Sequence, residues 1–108
     1  MHFHGDRFFK SNIDLYTKLE EYIYVDLHAP FIYFYVQRKN PIRYYYAQHY
    51  ATGKKEQEEI INDLKIKNVK LIIADPSYSL KTTAVDTFIS QKFHPVSSHD
   101  RYVILLKN

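Results

Sequence analysis

The most regular hydrophobic pattern of the chain lies in its second half. Ile60, Ile61 and Leu64 recur at helical spacing among lysines and glutamates, which predicts an amphipathic helix over residues 55–67. The near-continuous apolar run 69–74 follows, and it predicts a strand that is buried on both faces. A helix that leads into a buried strand is typical of proteins in which helices alternate with the strands of one sheet.

The same alternation extends towards both ends of the chain. Ser11 and Asn12, with Asp14 close behind, are typical of a helix N-terminus, so we expect an irregular lead-in over residues 1–10. The other predicted elements are a helix at 12–20, a strand at 22–27, a helix at 30–37, a strand at 43–46, a helix from Thr83, and a closing hairpin of 93–96 with 101–106. The run 30–37 also suits a strand.

This order of elements predicts an α/β fold, because strands joined by helices run parallel and the helices then cover the sheet. We expect a single domain over residues 11–108, built as a three-layer sandwich around a mostly parallel sheet of about five strands. The last strand follows a tight turn and must run antiparallel to its neighbour. With the strands numbered along the chain, we expect the order 2-1-3-5-4.

Composition excludes several classes of active site. The 108 residues include no cysteine, which removes thiolate catalysis, thiolate zinc sites and disulfides. Phosphate-cradling loops need several glycines for close backbone approach to the anion, and the chain has two, in neither a Walker A nor a dinucleotide-binding motif. A Gly-x-Ser-x-Gly nucleophile elbow is also missing. We therefore expect no cofactor, no metal and no self-sufficient catalytic site.

Charge and hydropathy narrow the possible partners. The net charge of +3 at pH 7 falls short of the strongly basic face expected of a nucleic-acid binder, so nucleic acid is disfavoured as a partner. No run of ~18 apolar residues is present, and the first residues lack the basic-then-apolar pattern of a signal peptide. We expect a small soluble domain that reaches any site outside the cytoplasm with the help of another segment.

Three polar residues at strand ends form the first candidate site. Asp26 and His28 lie at and just beyond the end of one predicted strand, and Asp75 ends another that we expect to be its neighbour. Ligands of open α/β sheets bind beyond the carboxyl ends of the strands, so this cluster suits a metal, a ligand or proton transfer, as in a small enzyme. The alternative is that these residues form turns and cap the following helices.

The second candidate site lies where basic residues and tyrosines are interleaved, in the segment 38–50. Arginine binds phosphate through a bidentate fork, and tyrosine stacks on bases or sugars. This segment predicts a stand-alone binding module for an anionic ligand, such as a phospho-sugar, a lipid phosphate or nucleic acid. The alternative is a strand whose tyrosines alternate between core and solvent. The residues concerned are Arg38, Lys39, Asn40, Arg43, Tyr44, Tyr45, Tyr46, Tyr50, Lys54 and Lys55.

A longer pattern runs through the middle of the chain. It consists, in order, of a strand at 22–26, a short aromatic helix at 31–35, Asn-Pro-x-Arg-Tyr at 40–44, an acidic helix at 58–64, a strand at 69–74 and a final strand at 102–106. In this order the segment 21–76 resembles the C-terminal soluble domain of polyprenyl-phosphate-dependent membrane glycosyltransferases, and the tail, with a late helix and the final strand, is also similar. That group includes the protein O-mannosyltransferases and the aminoarabinose transferases.

The resemblance implies an accessory role. Enzymes of this group carry their catalytic carboxylates in a loop between N-terminal membrane helices, and the 108 residues contain neither. It therefore implies a non-catalytic domain on the extracytoplasmic face of the membrane, near the entrance for donor or acceptor. Its implied partner is the membrane-embedded portion of the parent enzyme, and its implied ligand is a sugar or lipid phosphate.

Overall fold

A computed structural model describes residues 6–26, 32–42, 53–75 and 83–108. The helices within them are α1 (Asp6–Tyr16), α2 (Ile32–Val36), α3 (Lys54–Ile66) and α4 (Thr83–Lys92). The strands are β1 (Tyr24–Asp26), β2 (Leu71–Ala74), β3 (Phe93–His99) and β4 (Tyr102–Lys107). None of the described helices is long and apolar enough to cross a bilayer.

The four strands form one mixed sheet in the order β1-β2-β4-β3. β1 and β2 are parallel, whereas β4 is antiparallel to both of its neighbours, β2 and β3. The prediction of a mostly parallel sheet of about five strands is therefore wrong, because two of the three pairings are antiparallel. The predicted strand at 43–46 lies outside the described residues.

The order of the described strands agrees with the predicted order 2-1-3-5-4, which places the last strand between β2 and β3. After α4, strand β3 does run in the same direction as β2, as a connection through a helix dictates. β3 does not pair with β2, however, because β4 turns back and lies between them. The result is a split β-α-β unit, in which two parallel strands never touch each other.

α1 begins earlier in the chain than the sequence pattern predicts, because two residues expected at its start lie inside it. The Ser11 hydroxyl donates to the carbonyl of Arg7 (2.8 Å), and the Asn12 amide donates to the carbonyl of Phe8 (2.8 Å). Such bonds to the residue four positions earlier are made within a helix rather than at its cap. The helix therefore includes residues 6–10, which the pattern assigns to the lead-in.

Helices cover both faces of the sheet, and each face has its own apolar core. β2 supplies both cores, because Leu71 and Ile73 face one side and Ile72 faces the other, as its apolar run predicts. The core under α1 and α2 contains Phe9, Ile13, Ile23, Val25, Ile32, Tyr33, Val36, Leu71, Ile73, Tyr102 and Ile104. The core under α3 and α4 contains Tyr24, Ile42, Ile60, Leu64, Val69, Ile72, Val85, Ile89 and Phe93.

Different strand and helix termini lie at the two ends of the sheet. We call the end at which β1 and β2 begin the amino end, and the end at which they finish the carboxyl end. α3 and α4 run back from the carboxyl end, so both of these helices finish at the amino end. α1 runs the same way, since Phe8 contacts His99 at the carboxyl end and Tyr16 lies beside Lys70 at the amino end.

Candidate functional site

Two predicted site residues, Asp26 and Asp75, both lie at the carboxyl end of the sheet. In the parallel register of β1 and β2, Asp26 is aligned with Ala74, the residue immediately before Asp75. Each aspartate is only 6% exposed, so both carboxylates are largely removed from bulk water. His28, the third member of this candidate site, lies outside the described residues.

Asp75 is bound to an arginine that immediately precedes β4, the strand beside β2. Oδ2 of Asp75 lies 3.1 Å from Nε of Arg101, in the turn between β3 and β4. A hydrogen bond with the Tyr102 hydroxyl, and then the charge of Asp75, raise the pKa of Arg101. The guanidinium is largely exposed while its partner is buried. Asp75 thus holds the β3–β4 turn against β2.

Asp26 lies beside two buried phenols. Burial, followed by the negative charge of Asp26, raises the pKa of Tyr24 well above its ordinary value of 10.0. Burial also raises the pKa of Tyr33, whose hydroxyl accepts a hydrogen bond from the backbone N–H of Val25 (2.9 Å). A general acid or base works best with a pKa near the operating pH. The pKa values of both phenols are moved away from that range, so these groups stay neutral and suit a structural role.

The arrangement at the carboxyl end favours structure over metal chemistry among the described residues. In ranges 6–26, 32–42, 53–75 and 83–108 there is no group of three or more His, Asp or Glu side chains that could hold a metal ion. A metal site that includes His28 stays a prediction, since that residue lies outside these ranges.

Arg38, a residue of the second candidate site, is not available to a ligand in the structure. Its side chain is 2% exposed. Nε donates to the Thr17 hydroxyl (2.9 Å), Nη1 to the Val36 carbonyl (2.7 Å) and Nη2 to the Thr17 carbonyl (3.2 Å). Nη2 also reaches a carboxylate oxygen of Asp14 at 3.3 Å. Arg38 therefore ties the end of α1 to the end of α2 from within the protein.

Asn40 forms part of a turn. Its side-chain oxygen accepts a hydrogen bond from the backbone N–H of Ile42 (3.0 Å), the local bond of an Asx turn. The ammonium group of Lys67, just beyond α3, donates to the carbonyl of Pro41 (2.7 Å) and holds this turn in place. Arg43 and Tyr44, the other predicted contacts of the segment, lie outside the described residues.

The lysines of the predicted basic segment lie at opposite ends of the sheet. Lys39 is at the amino end, with its ammonium group 5.7 Å from the centre of the Tyr22 ring. Lys54 and Lys55 begin α3 at the carboxyl end. These three cations therefore do not form a single patch, although their sequence positions suggest one.

Sequence reasoning missed a buried polar contact between two helices. Gln57 is 5% exposed, and its side-chain oxygen accepts hydrogen bonds from the backbone N–H groups of Ala84 (2.8 Å) and Val85 (3.3 Å). The side-chain amide of Gln57 in α3 thus binds the backbone N–H groups at the N-terminus of α4, which would otherwise be available to an anion. The sequence pattern could have indicated that Gln57 is buried, because it shares the inner helical face with Ile60 and Leu64.

Sequence reasoning also missed a lysine-rich groove at the amino end. This groove of about 230 Å³ has an apolar floor that includes Leu64, Phe88 and Phe93, and lysines stand around its rim. The ammonium group of Lys65 lies 5.6 Å from the centre of the Phe88 ring. The rim lysines are Lys65, Lys92 and Lys107. They come from α3, α4 and β4, so their grouping depends on the sheet order.

Comparison of the chain with protein-family models, with curated proteins and with solved structures finds no match.

Proposed function

We propose that this chain is an accessory domain of a membrane-bound glycosyltransferase that uses a polyprenyl-phosphate-linked sugar, and that it lies on the extracytoplasmic face of the membrane. The observation that carries the proposal is the pattern of residues 21–76 around Asn-Pro-x-Arg-Tyr. The domain is not catalytic by itself, and its partner is the membrane-embedded portion of the enzyme.

The order of the described elements supports this proposal. β1 and α2 come before the turn at Asn40–Ile42, and the acidic helix α3 and the buried strand β2 come after it. α4 and the closing strand β4 complete the order. The resemblance rests on this order of elements, and the described elements occur along the chain in that order.

The chemistry at the carboxyl end also supports an accessory role. Asp75 is held by Arg101, and the phenols of Tyr24 and Tyr33 have pKa values raised away from neutrality. Groups held in this way stabilise the end of the sheet and are poorly suited to proton transfer near pH 7.

The proposal is tested by sequencing the gene upstream of the codon for Met1. We expect an in-frame reading frame that encodes several apolar segments of about 20 residues, long enough to span a bilayer. We also expect an acidic pair in the first external loop. A stop codon directly upstream would contradict the proposal, as would sugar transfer from a lipid-linked donor by purified residues 1–108 alone.

The second candidate function is a stand-alone binding module for an anionic ligand such as a phospho-sugar or lipid phosphate. It is favoured by the interleaved Arg43 and Tyr44, together with the neighbouring tyrosines. Binding should weaken as salt rises and should fall further in Arg43→Ala, because a phosphate contact is lost. Titration with soluble sugar phosphates that shows no binding would count against this function.

A further inference from the structure

We propose that the amino end of the sheet is a docking surface for an anionic lipid bilayer. We call this the amino-end surface, and it consists of the exposed apolar residues Leu15, Leu19 and Ile66 with the lysines Lys18, Lys39, Lys65, Lys67, Lys70, Lys92 and Lys107. The inference is independent of the proposed function, since surface docking by the chain can be measured whether or not membrane helices precede it.

The apolar part of this surface is the first observation. Ile66, Leu15 and Leu19 are 79%, 71% and 63% exposed, and they are the most exposed large apolar side chains of the described residues. Ile66 ends α3, Leu15 lies in the last turn of α1, and Leu19 follows it. Scattered apolar residues on a surface are ordinary, but the three most exposed ones share one end of the sheet.

The lysines at the same end are the second observation. Lys65 and Lys67 flank Ile66, and the ammonium group of Lys67 lies 5.4 Å from the centre of the Tyr22 ring. Lys70 and Lys107 line a groove of about 440 Å³ together with Tyr16. The groove of about 230 Å³ between Lys65, Lys92 and Lys107 continues the same surface.

The acidic residues at this end neutralise only part of that charge. Asp14, Glu20, Glu21 and Asp63 are the nearby acids; Asp14 pairs with Lys10 and Arg38, and Glu21 pairs with Lys70 at 3.4 Å. Within the described residues, Lys65, Lys92 and Lys107 take part in no ion pair. The amino-end surface is therefore more positive than the chain as a whole, whose net charge is only +3.

Helix dipoles account for some of these lysines but not for the apolar residues. Lys65 and Lys92 lie in the last turns of α3 and α4, where a cation complements the helix C-terminus. That effect gives no reason for Ile66 to be exposed between two lysines. Apolar side chains that enter the headgroup region, surrounded by lysines that meet anionic lipids, are the features of an interfacial docking surface.

The test is flotation of residues 1–108 with vesicles of phosphatidylcholine, with and without phosphatidylglycerol. We expect binding to the anionic vesicles only, and we expect it to weaken as salt rises. A lysine near an anionic surface contributes about fivefold in partitioning, so Lys65→Gln with Lys92→Gln should lower binding by about 25-fold. The matched control is Lys54→Gln with Lys55→Gln, which removes the same charge from the opposite end of the sheet and should change binding less than about twofold.

A second variant tests the apolar contribution. Ile66→Ser with Leu19→Ser should lower binding by about tenfold or more while the urea midpoint is retained, because both side chains are exposed in the free protein. Equal losses from the two lysine pairs would overturn the proposal, since they would indicate a response to net charge alone. Equal binding to neutral vesicles, no vesicle binding, or binding of single-stranded RNA in place of vesicles would also overturn it.

Discussion

At the amino end of the sheet the ionisable groups are mainly lysines in contact with water, whereas at the carboxyl end they include aspartates and tyrosines buried beneath helices. The lysines gain from the helix C-termini that point towards them. The aspartates and phenols depend on specific partners, Arg101 for Asp75 and the backbone of Val25 for Tyr33. The comparison indicates that the described aspartates and phenols contribute to stability, at and near the end of the sheet where α/β proteins commonly bind ligands.

The amino end has one buried cation, and its removal should have the largest effect. Arg38→Ala should lower the free energy of unfolding by about 3 kcal/mol, because the carbonyl groups of Thr17 and Val36 lose a charged donor. Urea denaturation measures the change. The control is Lys39→Ala, at the neighbouring exposed lysine, for which we expect little change. A loss below about 1 kcal/mol in Arg38→Ala would show that the buried fork is not what joins α1 to α2.

The buried phenols beside Asp26 should make stability sensitive to alkaline pH. Burial raises the pKa of Tyr24 above 10.0 in the folded protein. The stabilisation that this neutral phenol contributes is therefore fully present below pH 10 and is lost as pH rises above it. The loss is at most about 1.4 kcal/mol per pH unit for each such phenol. In Tyr24→Phe the decline of the urea midpoint between about pH 9 and pH 11 should be less steep. Tyr16→Phe, at an exposed tyrosine, should leave the decline unchanged, and equal slopes in all three proteins would contradict the assignment.

The ion pair at the carboxyl end should contribute less. Asp75→Asn should lower the free energy of unfolding by about 1 kcal/mol, because the guanidinium of Arg101 loses its charged partner. Arg101→Ala should have a comparable effect, since it leaves the buried carboxylate of Asp75 without this charged partner. The double variant should cost less than the sum of the two single changes, as it does for residues in contact. Additive changes would show that the two side chains act separately.

The smallest effect that we predict concerns the end of α3. Asn68 has φ 50°, and the chain around it forms a Schellman motif, with Val69 N–H bonded to the Leu64 carbonyl and Asn68 N–H to the Lys65 carbonyl. Asn68→Gly should raise the free energy of unfolding by about 0.5 kcal/mol, because glycine adopts this conformation without a steric penalty. Asn62→Gly, the same change inside the helix, should lower it by a similar amount or less. Thermal unfolding compares the two, and equal signs would contradict the prediction.

The sequence predicted best where one local pattern determined the outcome. α3 and β2 lie close to their predicted positions, because helical spacing and a continuous apolar run are each typical of one structure. α1 was misplaced because Ser11 and Asn12 can serve either as caps or as internal residues that bond to the preceding turn. The choice between these roles depends on Phe9 and Ile13, which pack under the sheet.

The candidate site depends on contacts between distant residues, and these were harder to predict. Asp26 and Asp75 were expected at the ends of neighbouring strands, and the register of β1 and β2 places both at the same end of the sheet. Arg38 was assigned to a basic patch, because its bonds to Thr17 are made across 21 positions of the chain and leave no local pattern. The predicted strand order places β4 beside β2, but the grouping of Lys65, Lys92 and Lys107 also requires the positions of α3 and α4 on the sheet.

The insertion of β4 between β2 and β3 also has a consequence for synthesis of the protein on the ribosome. β4 follows every other described strand along the chain, yet it pairs with both β2 and β3. Until β4 leaves the exit tunnel, β2 presents an apolar edge with unpaired backbone groups, which is a template for pairing with another nascent chain. The sheet can be completed only after β4 has emerged, so misassembly stays possible until all of the described strands have been made.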